Sequence, residues 1–533
     1  MKTLELPEEI RLPKEEIDAF VDRVEGALGP GDRAIAQAHV DAVRDLREAL
    51  EHKGVSIDRL RQMLFGSSTE TLDRVLPEAQ DPEKKPPERK PKPKRKGHGR
   101  NGAASYPGAK HVHLSHPTLR PGDPCPSCKH GKVYDTRRPG KDVRFRAQPP
   151  VEATVFTSQT LRCSCCGEVF RPELPKEAGT KKFDETVPSI ISLLKYGSGM
   201  PFFRLATLQK ALGAPLPAGT QWEIVAEAAE KCKAVRDELI RRAAQGEIVH
   251  NDDTTMRILE LEKMIREARE RKEAPERTGV YTTGIVSKAQ GHEIVLFFTG
   301  LRHAGENLED VLKHREPNRE PPIQMSDGLS RNLPGDLKTV VANCLTHGRR
   351  HFVEVAGSFP QEVRHVLTEL AKVYRLDARV KRWKLSDQNR LRAHQKYSKP
   401  VMDELKEWLE ARISEKHVER NSILGDAIVY VTKRWEAMTV FLREPGAPLD
   451  NTIVERALKM AILNRKNAYY YRTQRGAEVG DIFMTLIHSA RARGVNPFEY
   501  LTALQRNHER VRKDPGAWLP WSYQERLARP DTS

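Results

Sequence analysis

Two pairs of cysteines carry the spacing of a zinc site. Cys125 and Cys128 form one C-x-x-C pair, Cys163 and Cys166 form a second, and 34 residues separate the two pairs. Four thiolates from two such turns can surround Zn²⁺ tetrahedrally, which leaves the metal no open position for a substrate. We therefore predict a structural zinc site on these four cysteines, with Cys165 able to replace Cys163 or Cys166. Redox chemistry is the weaker interpretation, because a redox pair would not need a duplicate.

Four carboxylates at the ends of predicted elements could hold hard metal ions. Asp252 and Asp253 end the predicted strand EIVHN, Asp327 ends PPIQMS, and Glu455 lies in a helix that begins near Asp450. Two Mg²⁺ ions about 4 Å apart need several oxygen ligands from different elements, and they can then promote attack on a phosphodiester. Taken singly, such acids mean little, because aspartate is also common in turns and caps. As a group they indicate candidates for metal-dependent chemistry.

Short apolar runs from residue 247 onward predict the strands that would position these acids. Five runs rich in Val, Ile, Thr and aromatic residues are bounded by Gly, Asp or Pro: GEIVHNDD, TGVYTTGIVSK, HEIVLFFTG, PPIQMSDG and TVVANCLTH. The second and third runs read as a hairpin across Ser287–Gly291, and the later strands alternate with helical segments, which is typical of a mixed α/β sheet. From about Phe352 to Pro448 the pattern is nearly all helical, so an insertion into or against the sheet is expected.

The segments upstream of the strands predict helices and a linker. Apolar residues recur every seven positions from Ala36 to Leu64, which fits either a short self-associating coiled coil or a helical hairpin. The segment Asp81–Ala103 holds nine Lys or Arg against three acids, and its prolines favour an extended linker that could also contact phosphates. A helical stretch from Phe183 to Gln245, interrupted at Gly197–Pro201, fits a helix-turn-helix or an ordinary helical hairpin.

Composition narrows the class of protein. The chain has 533 residues with a formal net charge of +16, from 90 Lys and Arg against 74 Asp and Glu, and only 38% of its residues are hydrophobic. We find no run of about 18 uncharged apolar residues, and acids stand where a secretory signal would need an apolar segment. The sequence therefore predicts a cytoplasmic protein without a membrane partner. Its excess of basic residues favours a phosphate-bearing partner such as DNA.

Several segments, in order, resemble the transposases of insertion-sequence family 66. The similar segments are RLRQMLFGSSTE, LLKYGSGMPFFRL, NDDTTMRIL, SDGLSRN, CLTHGRRHFVEV, SILGDAIVYVTKRWEAM and the text from LDNTIVERALK to NPFEYL. The resemblance covers about Leu60 to Leu501. It implies a multidomain α+β protein, in which a helical N-terminal region, a basic linker and a small zinc-binding β module precede an RNase H-like catalytic core with a helical insertion.

This resemblance divides the chain into seven parts. They are a helical N-terminal region with a coiled-coil pattern at 1–80, a basic Pro/Lys-rich linker at 81–104, a zinc-binding module at 105–180, a helical, DNA-binding candidate region at 181–246, the RNase H-like core at 247–352 and 449–490, the helical insertion at 353–448 and a C-terminal tail at 491–533.

The resemblance also assigns site residues. The acidic triad of the family would fall on Asp252, Asp327 and Glu455, which would hold Mg²⁺ or Mn²⁺, and the spacings of 75 and 128 residues leave room for the insertion. Similar positions in the family suggest that His347, Arg349 and Arg350 approach the scissile phosphate, although the three could instead cap and solvate a helix. Further candidates for DNA contact follow Glu455 on its helix or at its end: Lys459, Arg465 and Lys466.

The function implied is DNA transposition. Such an enzyme binds the terminal inverted repeats of its insertion sequence, cleaves the DNA strand and transfers it to target DNA, and is expected to act as a homo-oligomer, with small accessory proteins of the same element as further partners. The alternatives are a non-catalytic, zinc-containing DNA-binding protein derived from a transposase, and a sequence-tolerant nuclease.

Overall fold

The computed structural model describes residues 168–271 and 277–528, shorter stretches at 115–135 and 148–162, and the single positions 75, 113, 164 and 166. The predicted N-terminal helices other than residue 75, the basic linker, Cys163 and Cys165 lie outside the described residues. By its internal contacts the chain divides into two compact units, Gln80–Thr154 and the remainder, Met1–Ala79 with Val155–Ser533.

The strands of the larger unit form a two-stranded ribbon and one mixed sheet. The described strands are β1 (Leu161–Arg162), β2 (Val169–Phe170), β3 (Ile248–Thr255), β4 (Tyr281–Ala289), β5 (His292–Gly300), β6 (Ile323–Ser326) and β7 (Val340–Asn343). The sheet has the order β5-β4-β3-β6-β7, in which β3, β4 and β5 are antiparallel neighbours and β6 and β7 run parallel to β3. The predicted mixed sheet of five strands, with its β4–β5 hairpin, is confirmed.

Helices precede, separate and follow these strands. They are α1 (Thr186–Ser198), α2 (Phe202–Ala211), α3 (Ala218–Ala243), α4 (Leu259–Glu270), α5 (Ala304–Leu312), α6 (Leu345–Glu354), α7 (Pro360–Arg382), α8 (Asp387–Ala393), α9 (Lys399–Ser414), α10 (Ile423–Lys433), α11 (Trp435–Met438), α12 (Thr452–Ala468), α13 (Gln474–Ala492), α14 (Pro497–Arg506), α15 (His508–Lys513) and α16 (Tyr523–Ala528). None of these described helices combines the length and the apolar character needed to cross a lipid bilayer.

Two apolar cores enclose the sheet, one around β4 and β5 and one around β6 and β7, and they meet at β3. The neighbouring residues Ile248 and Val249 on β3 belong to different cores, as expected for side chains that point to opposite faces of a strand. The first core joins the sheet to α1, α3, α12 and α13, and α12 packs against both β3 and β4. The second core joins it to α6 and to the helices α7, α9, α10 and α11. The central strand is therefore rigidly held from both sides.

Two predicted boundaries were wrong. The helical stretch that follows Phe202 was expected to continue to Gln245, but α2 ends at Ala211 and α3 begins at Ala218. The intervening segment contains Pro215 and Pro217, which cannot continue a helix, so three helices stand where two were expected. In addition, β3 does not end at its two aspartates, because antiparallel pairing with β4 extends it to Thr255.

Candidate active site

Parallel pairing brings the first two acids of the predicted triad to one edge of the sheet. Asp252 lies on β3 within the segment that pairs with β4, and Asp327 directly follows β6. The described parallel register pairs His250 with Met325. Continuing it by two residues sets Asp252 level with Asp327. Side chains at such positions share one face of the sheet, so the two carboxylates lie close together.

A glycine lets the helix of the third acid approach the sheet. Gly284 on β4 is the cross-strand partner of Asp252. A Cβ atom at Gly284 would lie only 3.0 Å from Leu458 Cδ2 and 3.1 Å from Val454 Cγ2 on α12. Glu455 therefore enters beside Asp252 because the strand carries no side chain at the point where α12 crosses it.

The start of α12 is tied to β3 by Asn451. Its side-chain amide donates to the Asn251 carbonyl at 3.1 Å, and its Oδ1 accepts from His250 Nδ1 at 3.0 Å. Burial lowers the pKa of His250 to about 4, so the imidazole stays neutral and carries the proton that it donates. The backbone N–H of Glu455 in turn donates to the Asn451 carbonyl at 3.3 Å. These bonds fix the first turn of α12 on the strand that bears Asp252.

Asn451→Ala should therefore loosen the third acid. Removal of the amide leaves the buried His250 imidazole and the Asn251 carbonyl without a partner, which costs about 1–3 kcal/mol of unfolding free energy. We expect a lower melting temperature together with slower strand transfer. Urea unfolding and the initial rate of strand transfer check both effects, and an unchanged stability would show that the tie contributes nothing.

The electrostatics of Asp252 reflect burial and the neighbouring acids. Burial raises the pKa of Asp252 to about 7, and repulsion from Asp327 adds to the increase, followed by Asp253 and Glu455, while the backbone N–H of Asp253 opposes it. Carboxylates repel in this way when several converge in a partly buried site. A divalent cation would reverse the balance, because it favours the charged form of every one of them.

Two buried side-chain atoms without hydrogen-bond partners face one another, one on Glu455 and one on His347. Glu455 Oε1 and His347 Nδ1 lie 3.9 Å apart, and both atoms are buried without a hydrogen-bond partner. His347 belongs to the first turn of α6, which follows β7. A buried carboxylate oxygen normally has a partner, so this one fits the ligand set of a metal ion.

The second aspartate of the pair has a different environment. The Asp253 side chain is only 2% exposed and is held by His303 Nδ1 at 3.0 Å and by the Arg331 guanidinium at 3.4 Å. Because successive residues on a strand point to opposite faces, Asp253 turns away from the face that Asp252 uses. Of the two acids, only Asp252 points toward Asp327.

Hydrogen bonds from α10 and from the following turn hold the segment after β6 in place. Gly328 has φ +82°, a conformation that side chains rarely adopt, and a Cβ there would approach Asn343 and Arg434. The Tyr430 hydroxyl on α10 donates to the Asp327 carbonyl at 2.9 Å. The Asn332 side chain donates to Asp327 Oδ1 at 2.5 Å. Helix α10 therefore helps to orient the turn that carries Asp327.

A buried network of side-chain amides joins β3 and β6 close to Asp252 and Asp327. The Gln324 side chain donates to Asn251 Oδ1 at 3.0 Å and to the Asn332 carbonyl at 2.7 Å, and Asn251 Nδ2 donates to that same carbonyl at 2.7 Å. The network joins β3 to β6 and to the short helix that follows Asp327. It holds the two strands that carry the first two acids in register.

The other predicted contact residues lie in different settings. Lys459 and Lys466 are exposed on α12, Arg350 is exposed and Arg349 half-buried on α6. Arg465, by contrast, donates to the Thr254 hydroxyl at 3.3 Å and to the Thr255 carbonyl. Arg465 therefore fastens the end of β3 to α12.

The first cysteine pair forms a tight turn in the smaller unit. The Cys125 N–H donates to the Gly131 carbonyl at 2.7 Å, and the Gly131 N–H donates to Cys128 Sγ at 3.5 Å. Bonds from the backbone of Gly131 and His130 lower the pKa of the Cys128 thiol, which favours the thiolate that zinc needs. Cys163 and the alternative ligand Cys165 lie outside the described residues, so the other half of the predicted site stays a prediction.

Several supporting residues escaped the sequence analysis. Asn451 and Tyr430 act through contacts with distant segments. Asn332 and Gln324 act from positions close to Asp327, but no sequence pattern singled them out. The available signal was that Asn332, Tyr430 and Asn451 lie within segments that resemble the family.

Two curated proteins of one organism are similar to parts of this chain. The uncharacterized protein y4jD of Sinorhizobium fredii (strain NBRC 101917 / NGR234) is 33% identical over 166 residues, which cover 30% of this chain and 31% of that protein. The uncharacterized protein y4hP of the same organism is 24% identical over 368 residues, or 64% of this chain and 63% of that protein. The chain thus spans less than two thirds of either relative.

A family model covers the site itself. The model described as "Transposase IS66 family" matches residues 182–479, from the segment before α1 into α13, and so includes the whole sheet and all three acids of the predicted triad. This match extends over more than half of the chain. The protein therefore belongs to the IS66 family of transposases.

Proposed function

We propose that the protein is a DDE transposase that binds the terminal inverted repeats of its own insertion sequence, cuts to expose 3′-hydroxyl ends and joins those ends to target DNA. The observation that carries the proposal is the convergence of Asp252, Asp327 and Glu455 from a strand, a turn and a helix. Two Mg²⁺ or Mn²⁺ ions held there would activate the attacking oxygen and stabilise the leaving oxygen of the phosphodiester.

The sheet supports an RNase H-like fold for this core. Three antiparallel strands are followed by two strands parallel to the first, and helices cover both faces. In this arrangement the first acid lies on the central strand, the second follows its parallel neighbour, and the third lies on a helix that crosses the sheet. The insertion enters between the second and third acids and supplies Tyr430 to the turn of the second.

Some residues around the three acids would orient Asp327, and others would contact the DNA backbone. Asn332 and the backbone of Leu329 donate to Asp327 Oδ1 and fix its orientation. Lys459 lies one turn beyond Glu455 on the same face of α12 and is exposed, so it would contact a backbone phosphate near the cut. The net charge of +16 would supply further, salt-dependent affinity.

We include a structural zinc in the proposal, held by Cys125, Cys128, Cys163 and Cys166. The turn around the first pair has backbone N–H groups directed at sulfur, as a thiolate ligand requires. The same proposal includes the seven-part division of the chain. It also includes self-association, which would bring two DNA ends together, and accessory proteins of the same element.

Cys128→Ser should remove about one equivalent of zinc from the purified protein and unfold the module, because structural zinc supplies folding free energy. Atomic emission analysis of the full-length protein measures the metal content. Cys232→Ser is the matched control, since Cys232 is buried on α3 in the first apolar core. Zinc content unchanged by Cys128→Ser would refute this ligand assignment.

Metal-dependent nicking tests the proposed function against its rivals. The purified full chain is incubated in Mg²⁺ with a labelled duplex that ends in the repeat flanking its gene, beside a duplex with the repeat scrambled. A transposase nicks at the repeat end and leaves a 3′-hydroxyl, and a chelator stops the reaction. Binding without nicking, after the accessory proteins of the element are added, would favour the non-catalytic DNA-binding protein. Equal nicking of both duplexes would favour a sequence-tolerant nuclease.

A further inference from the structure

Three side chains of different chemistry meet beside the triad. One ligand atom from each of Cys344, His347 and Glu455, a sulfur, an imidazole nitrogen and a carboxylate oxygen, lies within 4.8 Å of the other two. The facing atoms of His347 and Glu455 have no hydrogen-bond partner. Cys344 is fully buried, and nothing in the proposed strand transfer uses its thiol.

The backbone makes this meeting a fixed feature of the fold. Cys344 is the N-cap residue of α6, and His347 follows three positions later in the first turn of that helix. Side chains at these two positions lie on the same side of the helix start. The backbone N–H of Asn451 donates to Cys344 Sγ at 3.3 Å, and Glu455 follows Asn451 by one turn of α12. The starts of two helices therefore hold the three ligands together.

The donor set suits a different metal from the one that the acids require. Mg²⁺ prefers oxygen ligands, whereas a thiolate with an imidazole and a carboxylate is typical of Zn²⁺. Ligands at tetrahedral zinc lie about 3.4–3.6 Å from one another. The 3.9 Å between His347 Nδ1 and Glu455 Oε1 needs only a small contraction to reach that spacing. Three protein ligands would leave the fourth position open to water.

We propose that Cys344, His347 and Glu455 bind Zn²⁺ and that this binding inhibits strand transfer. The ion displaces the thiol proton to solvent and forms bonds to sulfur, nitrogen and oxygen. Glu455 belongs to both ligand sets, so a carboxylate drawn toward Cys344 and His347 is removed from Asp252 and Asp327. The binding stands on the geometry alone, and the inhibition rests on the proposed function.

Cobalt tests the binding without any measurement of activity. Co²⁺ is titrated into the full-length protein purified with its native metal, and the thiolate-to-cobalt absorption band is followed. We expect a band that saturates at about one further equivalent, that disappears in Cys344→Ser and that weakens at least about tenfold in apparent affinity in His347→Ala. Serine retains an acceptor for the Asn451 N–H. Cys232→Ser, at another buried cysteine, should leave the band unchanged.

No additional band in the wild type, or a band that persists in Cys344→Ser, would overturn the site. Because His347 lies on a partly exposed part of the helix, His347→Ala tests the site independently should Cys344→Ser fail to fold.

The inhibition is tested in the strand-transfer assay with Mg²⁺ present. Zn²⁺ at 100 times the dissociation constant found by competition with Co²⁺ should reduce the wild-type rate about 100-fold by mass action. Cys344→Ser should keep the zinc-free rate and resist the added Zn²⁺. Equal inhibition of both proteins would overturn the inhibitory role. An inactive wild type in zinc-free buffer would count against the proposed function, while the cobalt band would still decide the site.

Discussion

Asp252→Asn should abolish Mg²⁺-dependent strand transfer while binding to repeat-end DNA is retained. The loss should be about 1,000-fold or more, equivalent to about 4 kcal/mol of transition-state stabilisation, because the amide cannot supply the charged oxygen that a metal ion requires. Binding should persist, since phosphate affinity comes from basic groups spread over the protein. Gel-shift and strand-transfer assays on the same duplex separate the two properties.

The neighbouring residue supplies a matched control. Asp253→Asn makes the same chemical change one position along β3, where the carboxylate contacts His303 and Arg331. An amide oxygen can still accept from both, so the rate should fall by no more than about tenfold, in line with the loss of charge from two hydrogen bonds. Equal losses in the two variants, or a larger loss in Asp253→Asn, would contradict the choice of Asp252 as the first acid.

Gly284→Val should slow strand transfer about 100-fold with a modest loss of stability. The Cβ position is already 3.0 Å from Leu458, so the two further methyl groups must push α12 away from β4 at the cost of about 1–3 kcal/mol. A displacement of about 1 Å at a catalytic group is enough to cost this much rate. Strand-transfer rates and thermal melting measure the two effects on the same preparation.

A second substitution should restore the space. Leu458→Ala in the Gly284→Val background removes the atoms that clash, and we expect part of the lost rate to return. Gly219→Ala is the control glycine, because a Cβ there meets no atom within 4 Å. It lies in the first turn of α3, where alanine stabilises a helix by up to about 1 kcal/mol. A Gly284→Val protein with wild-type rate would show that the close crossing of α12 does not position Glu455.

The sequence predicted those parts of the fold that depend on local pattern. The apolar runs gave all five strands of the sheet and the β4–β5 hairpin, because buried strands are rich in branched and aromatic residues. The helix around Glu455 was also expected. The contacts that bring the three acids together are not local, because β3 pairs with the distant strand β6 and α12 packs across β3 and β4. The grouping of the three acids was therefore expected only from the family resemblance.

The missed features depend on contacts between distant segments. The antiparallel partner β4 extends β3 past Asp252, although the text NDD reads as a strand end. The Gln324 amide and the Asn332 backbone carbonyl meet the Asn251 side chain only after β3 and β6 have paired. No local pattern groups Cys344 with Glu455, because the two residues are more than 100 positions apart in the chain.

Strand transfer by the purified protein, with Mg²⁺, on a labelled duplex that ends in the repeat flanking its gene tests the central claim most directly. The Asp327→Ala variant is run beside the wild type, and binding of both to the duplex is measured first. We predict a joined product from the wild type alone, with equal binding by the two proteins. A joined product from Asp327→Ala, or no cleavage by a wild type that binds the duplex with its accessory proteins present, would contradict the assignment of the acidic cluster to DNA strand transfer.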